Sequence, residues 1–313
     1  MVGGPGVEIT LGAQVATGSR FSKGPGVTDP ARGDTSAWVA PFIDVNKPSV
    51  ARVYDMLLGG KDNYESDRVI YRQIMELIPE LPVWARENRR WLQRAVSWLS
   101  REQRIDQFLD LGAGLPTAQN THQIAQGINP MARVVYVDND PSVIAHGRAL
   151  LMDNDHTDFA AADFTHPADV LADPAVTQGL DFSRPIGLIQ ALVLHHISDL
   201  DEALAIQASY LDKLSSGSFV AISHACNPRD GSEAADLATA FEDKFHENFP
   251  DLRFRTPAEI TSLFGGLDMI DPGLVRLFDW YPPGTEDGPD DTPAEDYRAG
   301  ASQFLVCGVA RKP

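Results

Sequence analysis

An apolar run that ends in a glycine turn is the feature of the sequence that points most directly to chemistry. Residues 108–111 are followed by Gly112, Ala113 and Gly114. Glycines at the end of a strand let a ligand lie directly against the backbone. The polar, helix-compatible segment after them would offer free amide donors at its first turn. The turn therefore predicts a nucleotide-type site, although many strand-to-helix turns use glycine for structural reasons alone.

Two further acids follow apolar runs. Asp138 ends the run of residues 134–137 and is followed by Asn139, and Asp163 with Phe164 lies where a third strand should end. In doubly wound folds the acid after the second strand faces the ribose hydroxyls of a bound nucleoside. The Asp163 carboxylate could accept a hydrogen bond from an adenine amino group, and the ring face of Phe164 lies beside it in sequence. Together these strand ends predict a ligand that contains adenosine.

The residues around the glycines favour an adenosine ligand without phosphates. The dinucleotide fingerprint requires a third glycine at the position of Thr117, which here follows Pro116. Asp110, two residues before Gly112, would repel a pyrophosphate but could hold the ammonium group of a methionine moiety. S-adenosylmethionine is therefore favoured over a nicotinamide dinucleotide.

A pair of histidines, His195 and His196, follows Leu194 at the end of a fourth apolar run. The pair could supply a general base, bind a metal or form the polar end of a buried strand. Because adjacent residues of a strand point to opposite faces, at most one of the two can face a pocket. We keep one of them as a candidate base and expect no metal site.

The elements that must position these residues alternate between short apolar runs and helix-like stretches. The runs cover residues 106–111, 133–137, 186–194 and 218–223, with two final strands near 269–277 and 303–309. This pattern predicts an α/β fold whose parallel sheet is covered on both faces.

Two segments precede this pattern. Residues 41–104 read as helices, in which Trp84, Trp91 and Trp98 recur every seven residues and predict a buried stripe. Residues 1–40 are rich in glycine without any sustained period, so they predict a flexible tail. Residues 105–313 would then form the main domain.

Composition limits the partners and the compartment. The 313 residues carry 26 Lys and Arg against 44 Asp and Glu, a net charge of −18, which disfavours nucleic acid. No apolar run is long enough to span a bilayer, and no signal-like segment opens the chain, so neither a membrane nor secretion is expected. Cys226 and Cys307 lie alone in apolar runs, which favours two core thiols and a reducing cytoplasm.

The motifs together resemble those of class I S-adenosylmethionine-dependent methyltransferases: Asp110 to Gly114, Asp138, Asp163 with Phe164, and residues 189–197. More narrowly, three segments resemble a bacterial family catalogued as S-adenosyl methyltransferases. They are residues 48–64 (PSVARVYDMLLGGKDNY), 115–117 and 135–141. The resemblance covers residues 44–313. It implies a Rossmann-like seven-stranded sheet whose last strand is antiparallel, with residues 41–104 as an N-terminal helical lid.

The resemblance also implies roles for single residues. Asp110 would anchor the methionine amino group above Gly112, Ala113 and Gly114, Asp138 with Asn139 would bind the ribose, and Asp163 with Phe164 the adenine. Leu194, His195 and His196 resemble the stretch near the transferable methyl group. The lid residues expected to line the pocket are Tyr54, Gly60, Lys61 and Asn88.

The function implied is methyl transfer from S-adenosyl-L-methionine to a small-molecule acceptor. Cofactor motifs report binding and not turnover, so a regulatory protein that binds S-adenosylmethionine or S-adenosylhomocysteine without catalysis is the alternative. The sequence identifies neither the acceptor nor the oligomeric state.

Overall fold

The computed structural model describes residues 42–117, 119–151, 155–284 and 304–313. Residues 1–40, for which the sequence predicts a flexible tail, lie outside the described residues. The helices are α1 (Val50–Leu57), α2 (Glu65–Leu77), α3 (Leu81–Arg101), α4 (Thr121–Ile128), α5 (Pro141–Leu151), α6 (Pro167–Ala172), α7 (Pro174–Gly179), α8 (Leu200–Lys213), α9 (Glu233–His246) and α10 (Pro257–Ser262). The strands are β1 (Gln107–Leu111), β2 (Arg133–Asp138), β3 (Thr157–Ala161), β4 (Gly187–Ala191), β5 (Phe219–Ala225), β6 (Asp268–Met269), β7 (Val275–Arg276) and β8 (Leu305–Arg311).

The strands form one sheet in the order β3-β2-β1-β4-β5-β8-β6, and β7 also pairs with β8. Strands β1 to β5 pair in parallel, whereas β8 runs antiparallel to β5. The predicted Rossmann-like sheet with an antiparallel last strand is confirmed. The register aligns Asp138 with Ala161 and Ala191 with Ser223, so the carboxyl ends of neighbouring strands meet at one edge.

The strand expected near residues 269–277 departs from the prediction, because the structure has two strands of two residues there, β6 and β7. Between them the amide of Gly273 donates to the carbonyl of Ile270 (2.8 Å), and Gly273 has a φ of +86°. A tight turn that contains Pro272 cannot continue a ladder, since proline has no N–H to donate. Among the described residues the sheet therefore has eight strands where seven were expected.

The residues of β2 alternate between two cores, one on each face of the sheet. Val134 and Tyr136 belong to the core that includes the tryptophans of α3, and Val135 and Val137 belong to the core on the opposite face. Both faces are covered, as the near-continuous apolar runs of the strands indicate.

The tryptophan stripe of α3 joins the N-terminal helices to the sheet. Trp84, Trp91 and Trp98 are all buried. Trp98 packs edge-on against Phe219 of β5 at 5.8 Å, and Trp84 against Phe304 at 5.4 Å. Helix α3 is therefore fixed over the sheet near β5 and β8. None of the helices in the described part of the chain combines the length and apolar composition that a membrane span needs.

Candidate functional site

The glycine turn after β1 leaves open backbone at the edge of the sheet. Gly112 and Gly114 both have a φ of +67°, which favours glycine. A Cβ on Gly112 would lie 2.4 Å from the side chain of Val193, after β4, whereas a Cβ on Gly114 would meet no atom within 4 Å. The turn therefore packs closely on one side and leaves space for a ligand at Gly114.

Asp110 lies beneath this turn and is only 5% exposed. Its carboxylate accepts a hydrogen bond from the Thr121 hydroxyl at 2.7 Å, at the start of α4. Burial raises the pKa of Asp110 to about 6, and the charge of Asp138 adds to the rise, whereas the Thr121 hydrogen bond and the charge of Arg89 oppose it. A buried acid with a raised pKa at the end of a strand is typical of a binding site.

Asp138 connects the turn after β1 to the loop after β2. Its carboxylate accepts hydrogen bonds from the amides of Gly114 and Asp140, each at 2.9 Å. Burial also raises the pKa of this carboxyl to about 6. The next residue, Asn139, is exposed, and Asp140 caps α5 by accepting from the amide of Ser142 at 2.7 Å. The acid expected after the second strand thus stands at the open side of the glycine turn.

Asp163 and Phe164 lie two and three residues after the end of β3, as expected. Asp163 accepts hydrogen bonds from the amide (2.9 Å) and hydroxyl (2.7 Å) of Thr165. Phe164 is half-buried against the core on the face of the sheet opposite α3. Its carbonyl accepts from the Tyr210 hydroxyl at 2.7 Å. The carboxyl ends of β1, β2 and β3 each therefore present one acid at the same edge of the sheet.

His195 and His196 do not belong to a strand, which corrects the sequence interpretation. Strand β4 ends at Ala191, and Leu194–His196 forms a 3₁₀ turn, so the alternation argument that allowed only one histidine to face a pocket does not apply. Leu194 and His195 are buried and His196 is half-buried. The two imidazole rings lie 4.4 Å apart, centre to centre.

Burial keeps these histidines neutral. It lowers the pKa of His196 to about 4 and that of His195 well below its usual range. Among the described residues, the Nδ1 atom of His195 is buried without a hydrogen-bond partner. Both imidazoles are therefore neutral at neutral pH, the form that can accept a proton.

Arg255, which the sequence interpretation missed, holds the 3₁₀ turn in place. Its buried guanidinium donates to the carbonyls of Leu194 (3.0 Å) and Ile197 (2.6 Å) and to Nε2 of His224 (3.1 Å). The other ring nitrogen of His224 donates to the carbonyl of Ala225 at 2.7 Å. The turn after β4 thus depends on a cation that lies 61 residues after Leu194 in the chain.

Two of the four expected lid residues take part in a buried hydrogen-bond network with the end of β5. Tyr54 donates from its hydroxyl to the carbonyl of Ala85 (3.2 Å) and accepts from the Asn88 amide nitrogen (2.9 Å). The Ser223 hydroxyl donates to Oδ1 of Asn88 (2.6 Å) and accepts from the amide of Leu192 (3.0 Å). Leu192 has a φ of +55°, in the left-handed region that residues other than glycine rarely adopt. The network therefore connects α1 and α3 to the strained end of β4.

A second set of contacts connects the lid to the loop after β2. Arg52 pairs with Asp67 (2.8 Å), and both side chains are at least 96% buried. The Arg52 guanidinium also donates to the Ser142 hydroxyl (3.1 Å), and the Ser49 hydroxyl donates to Asp140. The start of α1 is therefore anchored on the start of α5, beside Asp138.

The other two expected lid residues lie apart from this network. Gly60 packs against the carboxyl group of Asp55 so closely that a Cβ on it would lie 1.8 Å from an Asp55 oxygen. Lys61 is exposed. Gly60 is thus required by local packing, and within the described residues no hydrogen bond joins the Lys61 side chain to the three strand-end acids.

The sequence carried a signal for the buried position of Asn88, one of the four expected lid residues. Asn88 lies four residues after Trp84 and three before Trp91, so it occupies a position in the apolar stripe of α3. A polar residue at a buried position must find a partner, and here that partner is Ser223. Arg52, Ser142 and Arg255 carried no comparable signal.

Comparison with known proteins agrees with this arrangement. The family described as S-adenosyl methyltransferase matches residues 36–313. A candidate methyltransferase from Thermobifida fusca YX is 40% identical with a TM-score of 0.78, over 88% of this chain and 99% of that one. A DUF574 family protein from Streptomyces avermitilis MA-4680 is 35% identical with a TM-score of 0.78, over 87% and 100%. No curated protein matches the chain. The chain therefore belongs to the S-adenosyl methyltransferase family, and it is an enzyme that depends on S-adenosyl-L-methionine.

Proposed function

We propose that the enzyme transfers the methyl group to a small-molecule acceptor enclosed between the helical lid and the carboxyl edge of the sheet. The observation that carries the proposal is the pair of lid contacts on either side of the glycine turn. Arg52 in α1 contacts the loop after β2, and Asn88 in α3 contacts the end of β5. A site covered on both sides suits a small acceptor better than a protein chain or a nucleic acid.

The residues at the carboxyl edge fit S-adenosyl-L-methionine. The open space at Gly114 allows the ligand to lie on the backbone, and the three acids suit an ammonium group and hydroxyls but would repel phosphates. Asp110 would hold the amino group above Gly112, Ala113 and Gly114. Asp138 with Asn139 would bind the ribose, and Asp163 with Phe164 the adenine.

When bound, the cofactor supplies a methyl group on a positively charged sulfur. The protein then has to align the acceptor atom within about 3–3.5 Å of that methyl group and exclude water. The 3₁₀ turn of Leu194, His195 and His196 would form the wall on the acceptor side. If the acceptor is a hydroxyl or an ammonium group, one of the two neutral histidines takes its proton, and the free Nδ1 atom favours His195.

The net charge of −18 supports the same choice of acceptor, because the molecule as a whole repels a phosphate backbone. The acidic surface would also exclude nucleic acid by electrostatics before any contact forms.

A label-transfer experiment tests the proposal. The purified enzyme is incubated with methyl-labelled S-adenosylmethionine and, separately, with the small-molecule, protein and nucleic-acid fractions of a cell extract. Label is expected in the small-molecule fraction and should be absent with the Asp138→Ala variant. Label in the protein or nucleic-acid fraction, or in none while the cofactor still binds, would contradict the proposal.

A further inference from the structure

We infer that Arg89 binds the carboxylate of the methionine moiety, so that Arg89 and Asp110 together form a receptor for its zwitterionic amino-acid end. The inference rests on the proposed cofactor site, in which Asp110 holds the amino group. It adds a residue, in α3, that none of the strand-end motifs contains.

Arg89 and Asp110 contact the same short segment of the chain. The Arg89 guanidinium donates through Nη2 to the carbonyl of Gln119 at 3.1 Å, in the loop between the glycine turn and α4. Two residues later, the Thr121 hydroxyl donates to Asp110 at 2.7 Å. Helix α3 therefore brings a cation to the loop that borders the expected methionine site.

The two opposite charges are close but do not pair. Within the described residues no carboxylate lies within 4.0 Å of the Arg89 guanidinium, although its charge partly opposes the rise that burial causes in the pKa of Asp110 and of Tyr54. The Nε atom of Arg89 is buried and has no hydrogen-bond partner in the described part of the chain. A buried donor without a partner is costly. A bound zwitterion would supply a carboxylate to the guanidinium of Arg89 and an ammonium group to Asp110, and so would pair both charges.

The chemistry of the ligand requires both charges. The methionine moiety carries an ammonium and a carboxylate group on the same carbon atom, so an acid alone would attract one group and repel the other. An arginine fork binds carboxylates through two parallel hydrogen bonds, which a lysine cannot reproduce. A structural role for Arg89, in which it merely fixes the loop through Gln119, would be indifferent to the ligand's carboxylate.

Titration calorimetry with two ligands separates these roles. S-adenosylmethionine and its decarboxylated analogue differ only in the carboxylate. The Arg89→Gln variant is expected to bind S-adenosylmethionine about 10- to 150-fold more weakly than the unaltered enzyme. It should bind the decarboxylated analogue as well as the unaltered enzyme does, or more tightly because a repulsion with the ammonium is removed. Arg89→Lys should recover part of the loss.

The matched control is Arg86→Gln, which removes the same charge from an exposed position one turn earlier in α3. It should leave both affinities unchanged, and unfolding curves should show that both variants are folded. Equal weakening of both ligands by Arg89→Gln, or no weakening of either, would overturn the inference. Failure of the unaltered enzyme to bind S-adenosylmethionine at all would instead contradict the proposed site.

Discussion

At the scale of single residues, the buried carboxyl of Asp110 lowers the free energy of unfolding at neutral pH. Its proposed role in binding would explain why the protein keeps this acid. Its carboxyl is buried, so the folded pKa lies at about 6, above the ordinary value of 3.8. Well below pH 3.8 the group is protonated in the folded and the unfolded chain and contributes nothing. As the pH rises from 4 to 6 the unfolded chain ionises first, so the free energy of unfolding falls and stays lowered above pH 6.

Replacing this acid should therefore stabilise the unliganded protein. Asp110→Asn is expected to raise the free energy of unfolding at pH 7.5 by roughly 1–3 kcal/mol, since the asparagine can still accept from Thr121 without being ionised. The difference should vanish below about pH 3, where the carboxyl is protonated in both states. Urea unfolding at the two pH values measures both effects, and cofactor affinity should fall in the same variant.

Asp243→Asn is the control, because it removes the same charge from an exposed position in α9. It should change the free energy of unfolding by less than about 0.5 kcal/mol at either pH. A lower free energy of unfolding for Asp110→Asn at pH 7.5 would show that the buried carboxylate stabilises the fold. It would then contradict the explanation of this acid by ligand binding.

At the scale of elements, the hydrogen bond that the Ser223 hydroxyl donates to Asn88 joins a lid helix to the ends of β4 and β5. The main-chain amide of Leu192 donates both to the carbonyl of Ser223 (3.1 Å) and to its hydroxyl (3.0 Å). A leucine with a positive φ persists only where its surroundings hold it in place. The network thus fixes the strand end from which the 3₁₀ turn of the histidines starts.

A double-mutant cycle measures this connection. Asn88→Ala and Ser223→Ala should each lower the free energy of unfolding by about 1–3 kcal/mol, because each leaves a buried polar group without its partner. Their effects should not add, with a coupling energy of about 0.5–3 kcal/mol. Asn88→Ala combined with Ser209→Ala, an exposed position in α8, serves as the control and should be additive. Additivity of the Asn88 and Ser223 effects would contradict the network.

At the scale of the whole molecule, the N-terminal helices and the sheet form one compact unit, Ala40–Pro313. The tryptophan stripe fixes α3 over β5, and the hydrogen bonds from Arg52 to Ser142 and from Ser49 to Asp140 fix α1 at the segment after β2. The lid is therefore joined to the sheet at the two places where the ligand is expected to bind.

Arg52→Met should loosen the second of these joints. Removing one partner of a buried ion pair should lower the free energy of unfolding by about 3–5 kcal/mol. Because Arg52 also donates to Ser142, amide hydrogen exchange in residues 138–142 should become faster.

Arg72→Met provides the comparison, since Arg72 pairs with Glu65 on the surface with both side chains more than half exposed. It should cost less than about 1 kcal/mol and leave exchange in residues 138–142 unchanged. Equal effects of the two substitutions would mean that Arg52 does not anchor the lid.

The parts of the fold that local patterns determine were predictable from the sequence. Apolar runs marked β1, β2 and β5, and the acids Asp110, Asp138 and Asp163 stand at or just beyond the strand ends where the sequence put them. The N-cap of α8 is equally local, because Asp199 accepts from the amide of Glu202, three residues later, at 2.8 Å. These features depend on side-chain periodicity and on caps, which act over a few residues.

Features that depend on distant contacts were not predictable. The apolar run of residues 186–194 reads as one strand, but the positive φ of Leu192 ends β4 early and produces the 3₁₀ turn. Asn88 and Ser223 are separated by 135 positions, and Arg255 reaches back to Leu194 over 61. Which polar residues meet in this way is decided by the packing of α3 and by the loops, and not by the local pattern.

The assignment of Asp138 to the ribose is the central claim about the site, and titration calorimetry with S-adenosylmethionine tests it most directly. Asp138→Ala removes a charge-assisted hydrogen bond of roughly 1.5–3 kcal/mol, so the affinity should fall about 10- to 150-fold while the protein stays folded. NAD, titrated in parallel, should not bind the unaltered enzyme. An unchanged affinity of folded Asp138→Ala for S-adenosylmethionine would contradict the account.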